Sequence, residues 1–473
     1  MERVLLVVAN REQFPEPAFP LGALYVAGAL EAAGSEARIF DAGLHRRPLA
    51  ALRAELAAFR PVAVGLSLRN ADNAAFPCTR TYLGWHERVA RTIHAAAPGA
   101  RLVAGGPAFS IFAAELLVRL GADAGVAGDG EGAATLLASG SGAEMSVAGR
   151  AAGVSDARSG DEAPARVWSR PPSDLREVRL PDRLGSVFPG ARRYRTASVQ
   201  TARGCPHGCI YCTYPALEGA RLRPRPPEAV ADEAERLHRE LGARELFVVD
   251  SSFNADEAHL AAVCEALRRR RLPVRFSCYL QPRMRDPELF VLLAAAGCTA
   301  VDFGSDSAAA DMLPALGKSF TVGDLREATR AARAAGLDTC HSLLFGGPGE
   351  TPETAAETVR VMDELTPTAV VAMAGLRIYP GTALAERARA AGLLGERDSL
   401  LSPRFYAAGM AAEDPRAAWL FAQVRAAAAE RRSWFLPGAR DWSAAWGPRL
   451  LRRLGKPGPL WRNFPRPRWY RYL

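Results

Sequence analysis

The sequence predicts an α/β protein in which a doubly wound, Rossmann-like domain precedes a partial (β/α)6 barrel, with a small helical region at the C-terminal end. Two series of alternating strand-like and helix-like segments carry this expectation, together with a break in the alternation over residues 140–195. The length of 473 residues agrees, because one hydrophobic core seldom organises so long a chain and two or three domains are the ordinary solution.

The first series places short β-type runs at 4–8, 37–40, 62–66, 102–104 and 124–126. Between them, stretches at 23–33, 49–59, 85–97 and 112–120 are apolar at helical spacing. Strands and helices in strict alternation make a parallel sheet covered on both faces, and such sheets bind ligands at the carboxyl ends of their strands. The loops at those ends are Pro20-Leu21-Gly22, Ser67-Leu68-Arg69-Asn70-Ala71-Asp72-Asn73, Gly105-Gly106-Pro107 and Gly128-Asp129-Gly130-Glu131. Glycine in them lets backbone approach a flat ligand. Taken alone, this marks a nucleotide- or cofactor-binding domain over residues 1–139, or simply tight turns. Residues 140–195 are rich in Gly, Ser, Pro and Arg and read as a linker crossing the face of the next domain.

The second series occupies residues 196–390, with strands expected at 197–201, 245–249, 274–279, 300–304, 338–345 and 369–378 and helices such as 227–241 and 322–335. Six such units form an open barrel whose chemistry belongs at the C-terminal ends of its strands. Residues 391–473 read as helices followed by a basic, aromatic tail: six of the eight tryptophans lie in the last 70 residues. That tail is expected to cover the barrel mouth; holding an acidic or apolar substrate and weak contact with an anionic membrane surface are the alternatives.

An apolar share of 49% with 23% charged residues is that of a soluble globular protein. The N-terminal apolar run is too short for a signal peptide, and no segment offers the roughly 20 apolar residues that span a bilayer. A cytoplasmic location is expected. The net charge of +9 is local: from Arg404 onward there are 14 Lys plus Arg against 4 Asp plus Glu. Nucleic acid is therefore not an expected partner.

Chemistry concentrates in Cys205-Pro-His-Gly-Cys209-Ile-Tyr-Cys212, directly after the first strand of the second series. Three thiolates on one short loop suit three irons of a cubane cluster and leave the fourth iron open. A zinc site normally draws on two separated ligand pairs, and His207 is the one added ligand on offer here. The remaining five cysteines, Cys78, Cys264, Cys278, Cys298 and Cys340, read as small buried hydrophobes.

This motif in a barrel context resembles the radical S-adenosylmethionine (SAM) superfamily, and the resemblance covers roughly residues 196–390. It implies a 4Fe-4S cluster on Cys205, Cys209 and Cys212, SAM on the open iron, and an electron donor such as flavodoxin or ferredoxin. The SAM contacts it implies are Tyr211, Asp250, Ser305, Asp306, Gly346, Gly347, Pro348 and Glu350, at the ends of barrel strands, with Arg377-Ile378-Tyr379-Pro380-Gly381 a further landmark. The first domain then resembles the cobalamin-binding domain of a large subclass, which implies corrinoid contacts from Ser67, Arg69, Asn70, Asp72, Asn73, Gly105, Gly106, Pro107, Gly128 and Glu131. The DxHxxG motif that supplies a cobalt-ligating histidine in methionine synthase is absent, and His45 reads as a surface residue. The Arg69-Asn70-Ala71-Asp72-Asn73 run resembles the branch that includes tryptophan 2-C-methyltransferase. Arg69 cannot coordinate cobalt; its role there is to favour Co(I) by its charge, or else to make a salt bridge to Asp72 or the linker.

The expected activity is methyl transfer from SAM, by way of cobalamin, to an unactivated or aromatic carbon of a small-molecule, lipid or peptide substrate. Radical cyclisation or rearrangement is the enzymatic alternative, and a corrinoid-binding sensor or scaffold the non-catalytic one. His341 is a candidate proton shuttle if it faces the lumen, and a core histidine otherwise. Glu228, opening the helix after the cluster loop, is a further candidate for the open iron.

Overall fold

A computed structural model describes residues 2–12, 16–133, 137, 166–169, 174–437 and 458–463. Strands β1 (Arg3–Val8), β2 (Glu36–Asp41), β3 (Ala63–Ser67), β4 (Arg101–Gly105), β5 (Ala124–Ala127) and β6 (Arg166–Ser169) form one parallel sheet in the order β2-β1-β3-β4-β5-β6. Val4 to Val8 are all buried, as a strand covered by helices on both faces requires. The order reverses between β1 and β3, each hydrogen-bonded to the other, so the switch-point crevice opens between the loops that follow them. Two features depart from expectation. The 140–195 segment, read as a linker, contributes β6, which pairs with the otherwise open edge of β5. A separate helix, Pro107–Ile111, precedes Ala113–Leu120; it begins at Gly106, whose φ of +93° and approach to Leu68 O leave no room for a side chain.

Residues 174–195 join the domains by packing. Leu175, Val178, Leu180, Leu184, Val187 and Phe188 lie in one core with Leu24 and Leu30 of the helix Leu21–Ala32 and with Val230 and Leu237 of the helix Pro227–Leu241. A Cβ at Gly28 would collide with Arg179 O, so that helix carries glycine where the crossing segment presses on it. Beneath the crossing, Arg225 donates to Tyr25 Oη (2.9 Å), Glu233 Oε2 (2.9 Å) and the carbonyls of Gln200 and Val178.

In the second domain β7 (Thr196–Val199) is followed by a short antiparallel pair, β8 (Ala202–Arg203) and β9 (Arg223–Pro224), which brackets the cysteine loop. Then come β10 (Glu245–Val248), β11 (Arg275–Leu280), β12 (Cys298–Asp306), β13 (Asp338–Phe345) and β14 (Ala369–Ala374). These six strands are parallel neighbours in sequence order, and a seventh, β18 (Trp434–Phe435), pairs with β14 at the edge. The expected strand 369–378 breaks at Gly375, whose φ of +82° turns the chain. Beyond it β15 (Leu376–Arg377), β16 (Phe405–Ala407) and β17 (Met410–Ala411) form a separate antiparallel sheet. The C-terminal region adds the helix Ala418–Glu430, packed on β14 and on the helix Pro352–Leu365. Residues 458–463 close the lower end of the barrel: Trp461 is buried with Ala300, Cys340 and Ala369, Gly458 N donates to Glu245 Oε1 (3.0 Å), and Arg462 pairs with Asp338. This is the end opposite the expected mouth; the rest of the tail lies outside the described residues. No described helix is long and apolar enough to cross a membrane.

The break at Gly375 turns Arg377 toward the first domain, where it meets Asp72 Oδ2 at 3.0 and 3.1 Å. Their side chains are 3% and 1% exposed. Breaking one side of so buried a pair strands the other charge, so Arg377→Met is expected to lower stability to chemical denaturation by about 3–5 kcal/mol, with most of the loss recovered in Asp72→Asn/Arg377→Met.

Candidate functional site

One cavity of ≈ 1720 Å³ runs from the carboxyl ends of β1, β3, β4 and β5 into the lumen of the barrel. It exceeds the roughly 300–1,000 Å³ of a typical small-molecule pocket and suits a large cofactor together with a second ligand. The first domain lines it with the loops marked in the sequence, among them Ser67, Arg69, Asn70, Gly105, Gly106, Pro107 and Gly128. A Cβ at Gly22, also in the wall, would meet nothing within 4 Å. Backbone exposed at Gly105, Gly106 and Gly128 and open space at Gly22 leave room in this wall of the kind a corrin ring needs.

Three of the residues expected to touch a corrinoid have their polar atoms engaged within the protein. Asp72 holds Arg377 and accepts from Ala74 N (2.8 Å). Asn73 accepts from Arg80 N (2.8 Å) and donates to Cys78 O (3.1 Å), closing its loop on itself. Glu131 takes both terminal nitrogens of Arg203, which also reaches Asp129 at 3.2 Å. Arg69 behaves otherwise. Asp72 is committed to Arg377, and Arg69 makes no ion pair or hydrogen bond among the described residues. Its guanidinium projects into the cavity, where its charge reaches the phenols of Tyr214 and Tyr279 from the barrel.

The cysteine loop is fixed by backbone. Cys205 N donates to Gly219 O (3.0 Å), Cys212 N to Cys209 O (3.2 Å) and Ile210 N to Leu316 O (3.2 Å). Gly204 (φ +96°) and Gly317 (φ +76°) sit where a side chain would strike Arg221 O and Gly208 O respectively. Cys205 is buried and Cys209 and Cys212 are half-buried. Burial pushes the Cys209 thiol up and that of Cys212 up to about 12. Lys318 works against this at Cys209; burial disfavours its own charge, but Asp306 and Cys209 outweigh burial and raise its pKa. Lys318 also pairs with Asp306 and donates to Tyr211 Oη (3.3 Å) and Gly304 O (3.2 Å). Three neighbouring thiols with one buried cation among them form a donor set that a net-anionic thiolate cluster fits.

The residues expected to hold SAM sit at strand ends but not in the cavity wall. Asp250 accepts from Thr201 N (2.7 Å) and Thr201 Oγ1, Asp306 binds Tyr211 and Lys318, and Glu350 accepts from Gly346 N (3.1 Å) and Thr354 Oγ1 (2.8 Å). Gly347 is crowded by Met312 and Leu316, and Pro348 follows it. Their side chains brace the loops, because a carboxylate at a strand end is the readiest acceptor for loop N–H groups left unpaired there. His341 faces away from the lumen: it is fully buried, its Nδ1 lies 2.8 Å from Ser305 Oγ and its Nε2 3.3 Å from Thr329 Oγ1, against Phe303. Alternation along β13 turns 341 outward and puts Ser342 in the cavity wall. Glu228 is on the outer surface, paired with Arg269 and Arg270. His45 is exposed, and Cys264, Cys278, Cys298 and Cys340 are buried.

Sequence reading missed Arg203, Tyr279, Asp302 and Ser342, whose place depends on strand register, and Tyr214, which opens the short helix after the cysteine loop. Lys318 carried a signal: it is one of two lysines in a chain that otherwise uses arginine.

Comparison with known proteins bears on this geometry. The radical SAM superfamily model matches residues 199–362 and the B12 binding domain model residues 7–138. Tryptophan 2-C-methyltransferase of Streptomyces laurentii is 30% identical over 454 residues, spanning 80% of this chain and 74% of that protein. The structure of radical S-adenosylmethionine methyltransferase TsrM from Kitasatospora setae, with cobalamin and a 4Fe-4S cluster bound, is similar with a TM-score of 0.80 at 26% identity, covering 98% of this chain and 97% of that one. The same enzyme with tryptophan and a SAM analogue gives 0.79 at 25% identity over the same shares.

Two outcomes follow from the site. Cys205→Ala, Cys209→Ala or Cys212→Ala is expected to abolish iron uptake on anaerobic reconstitution while corrinoid binding persists, because the glycine cradle belongs to the other domain; iron counting and the visible spectrum read both. Burial raises the carboxyl of Asp302 to about 7, above its ordinary value of about 3.9, so the folded protein holds that proton more tightly than the unfolded chain. Its contribution is favourable at low pH and is lost as pH rises from about 4 through 7; the wild type is expected to lose stability relative to Asp302→Asn between pH 5 and pH 8, measured by denaturant unfolding.

Proposed function

Because the chain belongs to the cobalamin-dependent radical SAM methyltransferases, the family of tryptophan 2-C-methyltransferase, we propose that it moves a methyl group from SAM, by way of cobalamin, onto a ring carbon of an aromatic small molecule. The carrying observation is one continuous cavity that joins the glycine-lined loops of the first sheet to the barrel lumen. When bound, cobalamin supplies a methyl group that can be passed to carbon, and the protein supplies binding and orientation.

Cys205, Cys209 and Cys212 hold the 4Fe-4S cluster, with Lys318 offsetting its negative charge. Gly22, Gly105, Gly106 and Gly128 admit the corrinoid, and Arg69 stands in the cavity as a cation without a carboxylate partner among the described residues. Phe247 and Tyr279, packed edge to face at 5.0 Å, give the lumen an aromatic wall against which a planar substrate rests. The closed lower end, under Trp461, keeps bulk water from that side.

Anaerobic protein reconstituted with iron, sulfide and hydroxocobalamin is expected to convert SAM and L-tryptophan into S-adenosylhomocysteine and a product heavier by one CH2. A reconstituted enzyme that consumes no SAM with any aromatic amine or amino acid would end this reading. Replacing Arg69 by Gln removes the cation and is expected to make the Co(II)/Co(I) potential more negative; an unchanged potential would remove that role from Arg69.

A further inference from the structure

The lumen holds one buried carboxylate that the proposed function leaves unused. Asp302, 8% exposed, lies midway along β12 and forms part of the cavity wall. Its carboxylate accepts from Ser342 Oγ at 3.0 Å and from the Cys340 thiol, and no cation pairs with it among the described residues. The groups that act on it are Ser342, the Cys340 thiol and the like charge of Asp306. Carboxylates this deep are normally paired with a cation or saturated with donors, because desolvation of the charge is otherwise uncompensated. Asp302 has two neutral donors and no cation among the described residues, and it opens onto space large enough for a ligand. The neighbouring strands explain what would reach it. Asp302 is in register with Tyr279 of β11, whose ring packs on Phe247 and whose phenol feels Arg69. A molecule lying on that aromatic wall therefore has the corrinoid-domain loop at one end and Asp302 at the other.

We propose that Asp302, positioned by Ser342, is the substrate-binding carboxylate of the lumen and that it receives an ammonium or N–H donor of an arylalkylamine-type substrate. This rests on the proposed function for the identity of the cavity, and it assigns the residue that selects for the nitrogen-bearing end of the substrate, directed away from the corrinoid and into the barrel. Acids of the same shape are disfavoured, because they would set a second carboxylate against Asp302.

Equilibrium dialysis on the reconstituted holoenzyme tests it with two probes of matched ring, tryptamine and indole-3-propionate. The wild type is expected to prefer tryptamine at least tenfold. Asp302→Asn keeps the shape and loses the charge; tryptamine binding is expected to weaken about ten- to hundredfold, the range for a hydrogen bond to a charged group, with little change for indole-3-propionate. Ser342→Ala, which frees the carboxylate without removing it, is expected to show a smaller loss in the same direction. Equal affinities in the wild type, no binding of either probe, or a preference that survives Asp302→Asn would overturn the assignment. Iron and corrinoid content measured on the same samples separate this from the underlying reading: a chain that takes up neither cofactor fails as a methyltransferase, whereas a fully loaded chain without amine preference fails only here.

Discussion

The ion pair between Arg203 and the Asp129–Glu131 turn holds the molecule in its working arrangement. Arg203 immediately precedes the cysteine loop, while Asp129 and Glu131 belong to the loop that ends the last internal strand of the first sheet. Both sheets present their carboxyl edges to one cavity, and this contact joins the two edges at the point where cluster and corrinoid would meet. Two further arginines of the barrel repeat the arrangement at other points of the seam, Arg225 on the Tyr25 phenol and Arg377 on Asp72. Buried pairs of this kind add little net stability over apolar replacements, since desolvation offsets most of the attraction. What they provide is a defined geometry: a displaced domain would leave several charges buried without partners.

That arrangement also explains why Arg69 is free. Asp72, three residues along the same loop, is the carboxylate Arg69 would ordinarily find, and Arg377 has taken it. The loop is thus anchored through its acid while its base is left facing the cavity, between Tyr214 and Tyr279. A single loop serves fold and function through alternate residues, and the barrel decides which residue does which. Lys318 plays the corresponding part beneath the cysteines, where it, Asp306 and Tyr211 form a buried polar group under an otherwise apolar loop.

The lumen is closed below by Trp461 and Gly458, so the cavity is reached from the seam between the domains. A substrate entering there would pass Arg69 and the aromatic wall before meeting Asp302. Residues 458–463 therefore bound the site from beneath. Their contacts with Glu245 and Asp338 lie at the starts of β10 and β13, at the deep end of the lumen.

What the amino-acid sequence determined by itself is everything that depends on local spacing. The periodicities marked both strand series, the CxxxCxxC spacing marked the three-thiol loop, and the glycines at 105, 106 and 128 marked loops that line the cavity, because a turn, a three-thiol loop and a close approach are each written within a few residues. Tertiary structure alone decided which polar side chains remain available for chemistry. Asp72, Glu131, Asp250, Asp306 and Glu350 look like ligand contacts when read along the chain, but each is held by a partner that folding brings alongside, several from far along the sequence. His341 and Ser342 differ by one position in a strand, and the register of β13 sends one into the core and the other into the cavity. Side-chain direction and long-range pairing are properties of the assembled sheet, which is why Asp302, a carboxylate without a counter-charge among the described residues, became visible only there.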